Sequence, residues 1–328
     1  MKITFQINYL ASWRQTVCIV GSAPQFGNWA EEKAVDMQCV SASTWKLEIE
    51  MDDNITSFEY YYLIKENENV IRREWRDPHI LKLQAGKTFQ ILDIWKDEPR
   101  LSYLYTSGFS RSFFYHNTDV TSLKYYRSTI LIQAICPYVK KGLELVLCGS
   151  SEALGQWQAK NGLRLSPIGN YTWQVSVDAS TISYVEQYKL VLYDRNEDKI
   201  VHWEEGSNRF LLPIEGGDEM VLVDVMFYRY GWMDWKAVGV AIPVFSLRSN
   251  DSYGIGEFSD LKKLIDWANI TGQKVIQLLP INDTTITYTW TDSYPYNAIS
   301  IYALHPIYLG LKEHPIKDNA LNRKYKKE

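Results

Sequence analysis

The sequence of 328 residues, 46% of them hydrophobic, is longer than one typical domain and predicts two or three domains with separate cores. The formal net charge is −4 and lysine and arginine are scattered along the chain, which argues against nucleic acid as a partner. No apolar run reaches membrane-spanning length. Met1–Ile7 alternates between apolar and polar residues, as a strand does and the core of a signal peptide does not.

The cysteines indicate a reduced compartment. They form no C-x-x-C pair, and no group of histidines and cysteines has the spacing of zinc ligands. We therefore expect a cytoplasmic protein without a metal, a membrane anchor or an organic cofactor. The four positions are Cys18, Cys39, Cys136 and Cys148.

An internal repeat organises the first two thirds of the chain. Rare residues and turn glycines recur at a spacing of 128, the difference between positions 157 and 29. We predict two copies of one module, residues 1–97 and 128–214, joined by an aromatic-rich connector, residues 98–127. The matching pairs include Gly21 with Gly149, Gly27 with Gly155, Trp29 with Trp157, Trp45 with Trp173, Tyr60 with Tyr188, and Trp75 with Trp203.

Short strands separated by turn residues make up each copy. Ile3, Phe5 and Ile7 alternate with polar residues in the first copy, and the segments that begin at Trp45 and Trp173 have the same period of two. Strands at this spacing predict an all-β, immunoglobulin-like sandwich in each module. The connector carries too many aromatic residues for a solvated tether, so we expect it to pack on a neighbouring module.

Aromatic and polar residues in the second copy suit a carbohydrate ligand. A glucan offers apolar C–H faces ringed by hydroxyls, so a site for it needs flat aromatic rings and a few fixed polar groups. The second copy contains the segments Leu154-Gly155-Gln156-Trp157 and Glu186-Gln187-Tyr188-Lys189, followed by the pattern W-E-x-x-x-N-R from Trp203 to Arg209.

These motifs resemble the starch-binding domains of carbohydrate-binding module family 20. The resemblance implies that Trp157 and Trp203 stack on two glucose units, and that Lys189, Glu204 and Asn208 bond the sugar hydroxyls. The first copy departs from the pattern. Trp29 and Trp75 hold its ring positions, but Tyr61 stands in place of the lysine. For the first copy, sugar binding and a packing or spacing role both remain open.

The chemistry of the sequence changes in the third segment, residues 215–328. An apolar run, Val238–Phe245, precedes an amphipathic pattern, Ser259–Ala268, and a second apolar run, Val275–Pro280. This order predicts a strand, a helix capped by Ser259 and ended by Gly272, and a second strand parallel to the first. We also expect Asp260 and Asp266 to be charges on the helix surface.

The third segment resembles glycoside hydrolase family 77, the 4-α-glucanotransferases or amylomaltases. The resemblance rests on the runs G-V-A-I-P-V-F-S-L-R-S from Gly239, G-I-G-E-F from Gly254, Q-L-L-P-I-N-D-T from Gln277 and D-S-Y-P-Y from Asp292. It implies the first part of a (β/α)₈ TIM barrel and retaining transfer of α-1,4-glucan segments by a pair of carboxylates. Tyr296, with Ser293 and Asp292 beside it, would contact the sugar.

The resemblance places the family's catalytic nucleophile and acid/base on barrel strands after the second. We therefore assign no catalytic residue and expect this chain by itself to be inactive. Three functions are left open by the sequence: the glucan-binding N-terminal region of a 4-α-glucanotransferase, a non-catalytic carbohydrate-binding or scaffold protein, and sandwiches with a purely structural role. The expected partners are α-1,4-glucans such as starch, glycogen and maltodextrins, and the sequence does not indicate an oligomeric state.

Overall fold

The computed structural model describes residues 1–75, 77–113, 124–169, 171–214, 219–231 and 235–314. The chain divides into two compact units, Met1–Met233 and Asp234–Glu328. The first unit holds both predicted modules and the connector. Within the described ranges, no helix combines the length and the apolar character needed to cross a membrane.

The first module is a sandwich of two sheets. One sheet has the order β3-β2-β6-β7 with β8 also paired to β6, and the other runs β9-β1-β5-β4. Ile3, Phe5 and Ile7 are buried, because alternate side chains of β1 face the core. The strands are β1 Lys2–Asn8, β2 Gln15–Gly21, β3 Val35–Asp36, β4 Gln38–Cys39, β5 Thr44–Glu50, β6 Ser57–Glu66, β7 Asn69–Arg73, β8 His79–Lys82 and β9 Thr88–Ile94.

The second module repeats this arrangement strand for strand, as the repeat predicts. Its sheets run β12-β11-β15-β16, with β17 paired to β15, and β18-β10-β14-β13. The strands are β10 Thr129–Ile135, β11 Leu143–Gly149, β12 Leu163–Arg164, β13 Ser166–Pro167, β14 Thr172–Asp178, β15 Glu186–Asp194, β16 Lys199–Trp203, β17 Arg209–Leu211 and β18 Met220–Phe227.

The last strands of the two modules pair with each other. β9 and β18 run parallel from Thr88 opposite Met220 to Leu92 opposite Asp224, so one eight-stranded sheet passes through both modules. The Lys87 ammonium extends this contact, because it pairs with Glu219 of the second module. The two sandwiches are therefore joined through a shared sheet and are not independent domains connected only by a linker.

One predicted boundary needs correction. The second module does not end at residue 214, because β18 pairs with β10 along its whole length and completes the sandwich at Phe227. The connector packs on its neighbours as expected: Leu101, Leu104 and Tyr105 are buried. Its aromatic residues Phe114 and Tyr115 lie outside the described residues.

The second unit contains the predicted strand–helix–strand order. β19 (Gly239–Ile242) and β20 (Val275–Leu278) pair in parallel, and α1 (Phe258–Ile270) connects them. A side chain at Gly239 would meet the Val275 carbonyl oxygen at 2.2 Å, so only glycine permits this pairing. The βαβ prediction is confirmed.

The start of α1 differs from the sequence-based expectation. Glu257, and not Ser259, is the N-cap, and Glu257 and Asp260 form a reciprocal capping box with each other's backbone N–H groups. Asp260 is also buried, where it accepts hydrogen bonds from the Ser249 and Ser252 hydroxyls at 2.5 and 2.8 Å. It is a structural group inside the fold and not a surface charge.

Candidate functional site

A strained turn presents Trp157 in the second module. Three consecutive residues, Gly155, Gln156 and Trp157, have positive φ values of 84°, 50° and 60°. The Trp157 N–H donates to the Gly149 carbonyl at 2.8 Å, which ties the turn to the end of β11. Left-handed backbone at a non-glycine residue costs free energy, and such residues cluster at functional sites.

Trp157 and Trp203 form an aromatic surface. Their ring centroids lie 6.2 Å apart with planes inclined at 54°. Trp157 is 36% exposed, and Trp203, the last residue of β16, packs partly buried on a core cluster that contains Val146 and Val191. Trp203 is thus held by packing on the core, and Trp157 is held by its turn. Together the two rings offer two inclined faces for stacking.

Lys189 lies beside the ring pair with its ammonium fixed in position. Its Nζ donates to the carbonyl oxygens of Glu204 at 3.1 Å and Gly206 at 2.7 Å. An ammonium carries three protons, so a third can be donated to a ligand hydroxyl. Asn208 is fixed in a similar way, because its Nδ2 donates to Gln187 Oε1 at 2.7 Å. The structure thus pairs Trp157 with Trp203 and holds Lys189 and Asn208 to the segments around Trp203, while their contact with sugar stays a prediction.

Glu204 has a different environment from the one expected. Its side chain is fully buried and accepts hydrogen bonds from the Leu190 N–H at 3.0 Å, from Arg209 at 2.8–3.1 Å and from Arg229 Nε at 3.1 Å. Burial alone would raise the pKa of this carboxyl, but the two arginines outweigh burial and lower the pKa. A buried, saturated carboxylate is not positioned to bond a sugar hydroxyl, and direct contact is corrected to a supporting role.

The two arginines are functional neighbours that sequence reasoning missed. Arg209 belongs to the W-E-x-x-x-N-R pattern itself, so its partnership with Glu204 had a signal in the sequence. Arg229 follows the last strand of the module and also donates to the Ser207 carbonyl at 2.7 Å. No local pattern marks it, because the contact depends on how β18 ends beside β16.

In the first module the structure corrects the position of the second ring. In the second module, Trp203 of β16 lies opposite Val191 of β15. The equivalent strands of the first module are β6 and β7, and there Arg73 lies opposite Leu63. Arg73 is therefore the counterpart of Trp203. The true spacing here is 130, the difference between positions 203 and 73. Two extra residues in the β15–β16 turn cause the change, so the match of Trp75 with Trp203 at 128 is coincidental.

The ring surface of the first module therefore has one exposed tryptophan. Trp29 sits in a turn with positive φ like that of Trp157, is 40% exposed and stacks on Tyr61 at 5.8 Å with planes 16° apart. The Tyr61 hydroxyl donates to Glu31 at 2.7 Å, and Arg73 pairs with the same carboxylate. The Arg73 guanidinium lowers the pKa of Glu31. An ion pair thus replaces the second ring.

Trp75 lies elsewhere in the first unit. It is half-buried, and its backbone N–H donates to the Lys96 carbonyl at 2.8 Å. Its ring meets Tyr105 of the connector edge-on, with the ring centroids 5.1 Å apart. It is not part of the surface formed by Trp29 and Tyr61. The expectation that Trp75 stacks on sugar beside Trp29 is therefore wrong.

The three residues named in the second unit occupy one loop. Asp292 accepts hydrogen bonds from the backbone N–H groups of Ile286, Thr287 and Tyr288 at 2.7–3.1 Å, so its carboxylate organises the loop. Ser293 donates to the Trp290 carbonyl at 2.7 Å and lines a cavity of about 280 Å³. Tyr296 is 60% exposed beside Tyr294, with ring centroids 5.5 Å apart.

A metal site needs several histidine, cysteine or carboxylate side chains close together in the part of the chain that the structure describes. There, no group of three or more histidine, cysteine or carboxylate side chains is arranged to hold an ion.

Comparison with known families gives the same division of the chain. Residues 1–94 and 129–220 match the starch binding domain family. The two matches together cover more than half of the chain. They span the first sandwich and the second as far as the start of β18. The chain belongs to the starch-binding domain family. Residues 242–328 match a second family, described as 4-alpha-glucanotransferase. The starch-binding domains therefore precede a segment of glycoside hydrolase family 77.

Two of the relatives that the chain matches are named as 4-alpha-glucanotransferases. The chain is 32% identical over 334 residues to the 4-alpha-glucanotransferase DPE2 of Oryza sativa subsp. japonica. This alignment covers 95% of this chain and 35% of that protein. The 4-alpha-glucanotransferase of Chlamydia caviae is 45% identical over 87 residues, or 25% of this chain and 16% of that protein. The chain thus spans about a third or less of the length of these relatives.

Two solved structures match parts of this chain with low sequence identity. The family 20 module of the maltotetraose-forming amylase from Pseudomonas saccharophila is 22% identical, with a TM-score of 0.25, over 28% of this chain and 100% of that chain. The family 15 glucoamylase from Hypocrea jecorina is also 22% identical, with a TM-score of 0.28, over 30% of this chain and 17% of that chain.

Proposed function

We propose that this chain binds α-1,4-glucans such as starch, glycogen and maltodextrins, chiefly through the second starch-binding domain. The observation that carries the proposal is the inclined pair of Trp157 and Trp203 with the fixed ammonium of Lys189 beside it. Two adjacent glucose units of a helical glucan present apolar faces that are inclined to each other. Stacking on both rings removes those faces from water, while the polar groups fix the sugar orientation.

Each polar residue has a separate role in this proposal. Lys189 donates its remaining proton to a sugar hydroxyl, and the Asn208 side-chain oxygen accepts one. Glu204 supports the site without contacting the sugar. Its carboxylate pairs with Arg209 and Arg229, and its backbone carbonyl accepts a hydrogen bond from Lys189. A site of this size binds with a Kd on the order of micromolar to millimolar.

The first starch-binding domain offers a single platform. Trp29, supported by Tyr61, can stack on one glucose unit, while Arg73 occupies the place of the second ring. We therefore propose weaker glucan binding by this domain. Because both domains share one sheet, their sites are held in a fixed relation, and a long glucan that reached both would bind with higher avidity.

For the protein as a whole we propose a cytoplasmic 4-α-glucanotransferase of the amylomaltase type. Support comes from the family 77 match, the βαβ unit and the relatives that carry this name. In this proposal β19, α1 and β20 begin a TIM barrel, and Tyr296 contacts the sugar with Ser293 and Asp292 positioning its loop. We assign neither the nucleophile nor the acid/base to a residue of this chain.

Calorimetric titration with β-cyclodextrin tests glucan binding. The chain should bind, and Trp157→Ala should lose at least tenfold in affinity because one stacking face is removed. Tyr184→Ala is the matched control, since Tyr184 is an exposed aromatic residue of the same domain, 78% exposed, outside the ring pair. Absence of binding by the unmodified chain would instead favour sandwiches with a purely structural role.

A further inference from the structure

A cavity of about 340 Å³ lies where the two starch-binding domains meet. Its lining comes from three parts of the first unit: Trp75 and Asp77 from the first domain, Tyr105 from the connector, and Gln133 and Tyr171 from the second domain. The volume is at the lower end of the range of small-molecule sites, about 300–1,000 Å³. Neither domain could form this cavity alone.

Three aromatic rings make a continuous wall in the cavity. Trp75 meets Tyr105 edge to face at 5.1 Å, and Tyr105 meets Tyr171 at 4.7 Å with planes 74° apart. Each ring comes from a different part of the chain. Aromatic walls of this kind suit ligands with flat apolar faces, as sugar rings have.

The polar groups around this wall favour a neutral ligand rich in hydroxyls. Glu59 and Asp77 supply carboxylate acceptors, of which Asp77 already accepts from the Tyr171 hydroxyl through one oxygen. Gln133 supplies an amide oxygen that can accept, while its Nε2 donates to the Ile80 carbonyl at 3.5 Å. The lining contains one ammonium, Lys96, whose Nζ already donates to the Asp77 carbonyl at 2.6 Å. It also contains one imidazole, His79, whose Nε2 lies 3.0 Å from the buried Glu74 carboxylate. Because the ammonium and the imidazole are both engaged, the two carboxylates of the lining disfavour a phosphate or carboxylate ligand.

We propose that this junction cavity is an additional sugar site, which takes the terminal one or two glucosyl units of a maltooligosaccharide. The limited volume favours a chain end over the middle of a polymer. The choice of a glucan among neutral polyols rests on the proposed function, whereas the cavity itself is independent of Trp157. Because both domains line the site, a bound sugar would hold them together.

The test uses the 328-residue chain with Trp29→Ala and Trp157→Ala, which removes a ring from each of the two proposed glucan surfaces. The protein is labelled with 5-fluorotryptophan, and its fluorine NMR spectrum is followed during titration with maltose. The Trp75 resonance is assigned by its absence in a Trp75→Phe variant. We expect this resonance to shift saturably, with a Kd on the order of millimolar.

Gln133→Met supplies the specific perturbation and Gln174→Met its control. The two glutamines lie directly opposite each other on β10 and β14 and both are buried, but Gln133 lines the cavity and Gln174 does not. Gln133→Met should weaken the Trp75 response at least tenfold, and Gln174→Met should leave it unchanged. If Gln133→Met does not fold, Asp77→Asn at the exposed side of the cavity replaces it.

No saturable shift of Trp75 up to maltose on the order of 100 mM would overturn the proposal, as would equal losses in the two glutamine variants. The proposed function is checked separately by Trp157-dependent binding of β-cyclodextrin. If that binding is absent while Trp75 still responds to maltose, the function of the second domain is refuted and the junction site stands. If β-cyclodextrin binds and Trp75 does not respond, only the junction site is refuted.

Discussion

Replacing Glu204 by glutamine tests whether this residue positions the glucan site or contacts the sugar. The substitution keeps the shape of the side chain and an oxygen for the Leu190 N–H, but it removes the negative charge shared by Arg209 and Arg229. We expect a loss of stability together with a smaller loss of glucan affinity. The second effect follows because the segment after Trp203 also holds Lys189 through the Glu204 and Gly206 carbonyls.

The magnitude follows from the burial of the ion pairs. Breaking a fully buried pair by removing one partner costs about 3–5 kcal/mol. The carboxylate is fully buried, but the arginine side chains are 20% and 34% exposed and can recover part of their hydration. A loss of about 2–3 kcal/mol is therefore expected, which corresponds to a fall in Tm of roughly 5–10 °C for a unit of this size.

Thermal and denaturant unfolding measure the loss of stability, and calorimetry with β-cyclodextrin measures affinity. The pKa of Glu204 is lowered from its ordinary value of 4.5, so its contribution is present above about pH 4.5 and is lost as pH falls through the lower folded pKa. The difference in stability between the native chain and Glu204→Gln should accordingly shrink as the solution is acidified below pH 4.5.

Glu74→Gln is the matched control. Glu74 has the same place in the first domain, where it accepts from the Tyr62 N–H at 3.0 Å and pairs with His79 at 3.0 Å. It should lower stability without changing β-cyclodextrin binding at the second domain. A Glu204→Gln chain that unfolds like the native chain but no longer binds glucan would refute the positioning role and restore direct contact.

Three further predictions concern the turn, a buried carboxyl and the first domain. Gly155→Ala should lower the free energy of unfolding by at least about 2 kcal/mol, because the added carbon would lie 2.6 Å from the Gly162 nitrogen. Gly142→Ala is the control. Gly142 also has a positive φ but lies in open space, so the loss there should be about 1 kcal/mol, and denaturant unfolding measures both. Burial raises the pKa of Asp224 to about 6, so Asp224→Asn should be more stable than the native chain by about 1–3 kcal/mol at pH 7, with the advantage gone below about pH 4. Arg73→Trp with Glu31→Ala should raise β-cyclodextrin affinity at least tenfold by calorimetry when the second-domain site is disabled.

Each of these has a contrary outcome. Equal losses at the two glycines would show that crowding at the Trp157 turn is unimportant. A pH profile of Asp224→Asn parallel to that of the native chain would mean that Asp224 does not titrate differently on folding. A folded double variant of the first domain without a gain in affinity would show that the missing ring does not limit binding there.

The amino-acid sequence by itself determined the modular plan. The recurrence of Gly27 and Trp29 at Gly155 and Trp157 is visible without coordinates, because a tight left-handed turn requires glycine at its first position. The strand–helix–strand order of the second unit also follows from local periodicity, which depends only on which faces are apolar. These features are local, and local patterns survive in a single sequence.

Tertiary structure alone decided which distant residues meet. A fixed spacing of 128 could not represent the longer β15–β16 turn, so Trp75 was matched to Trp203 although the ladder places Arg73 there. Glu204 and Asp260 look like ordinary polar residues in the sequence, and their burial depends on partners supplied by other segments. Pairing of β9 with β18 likewise joins strands more than a hundred residues apart, and no local pattern encodes which exposed edges will pair.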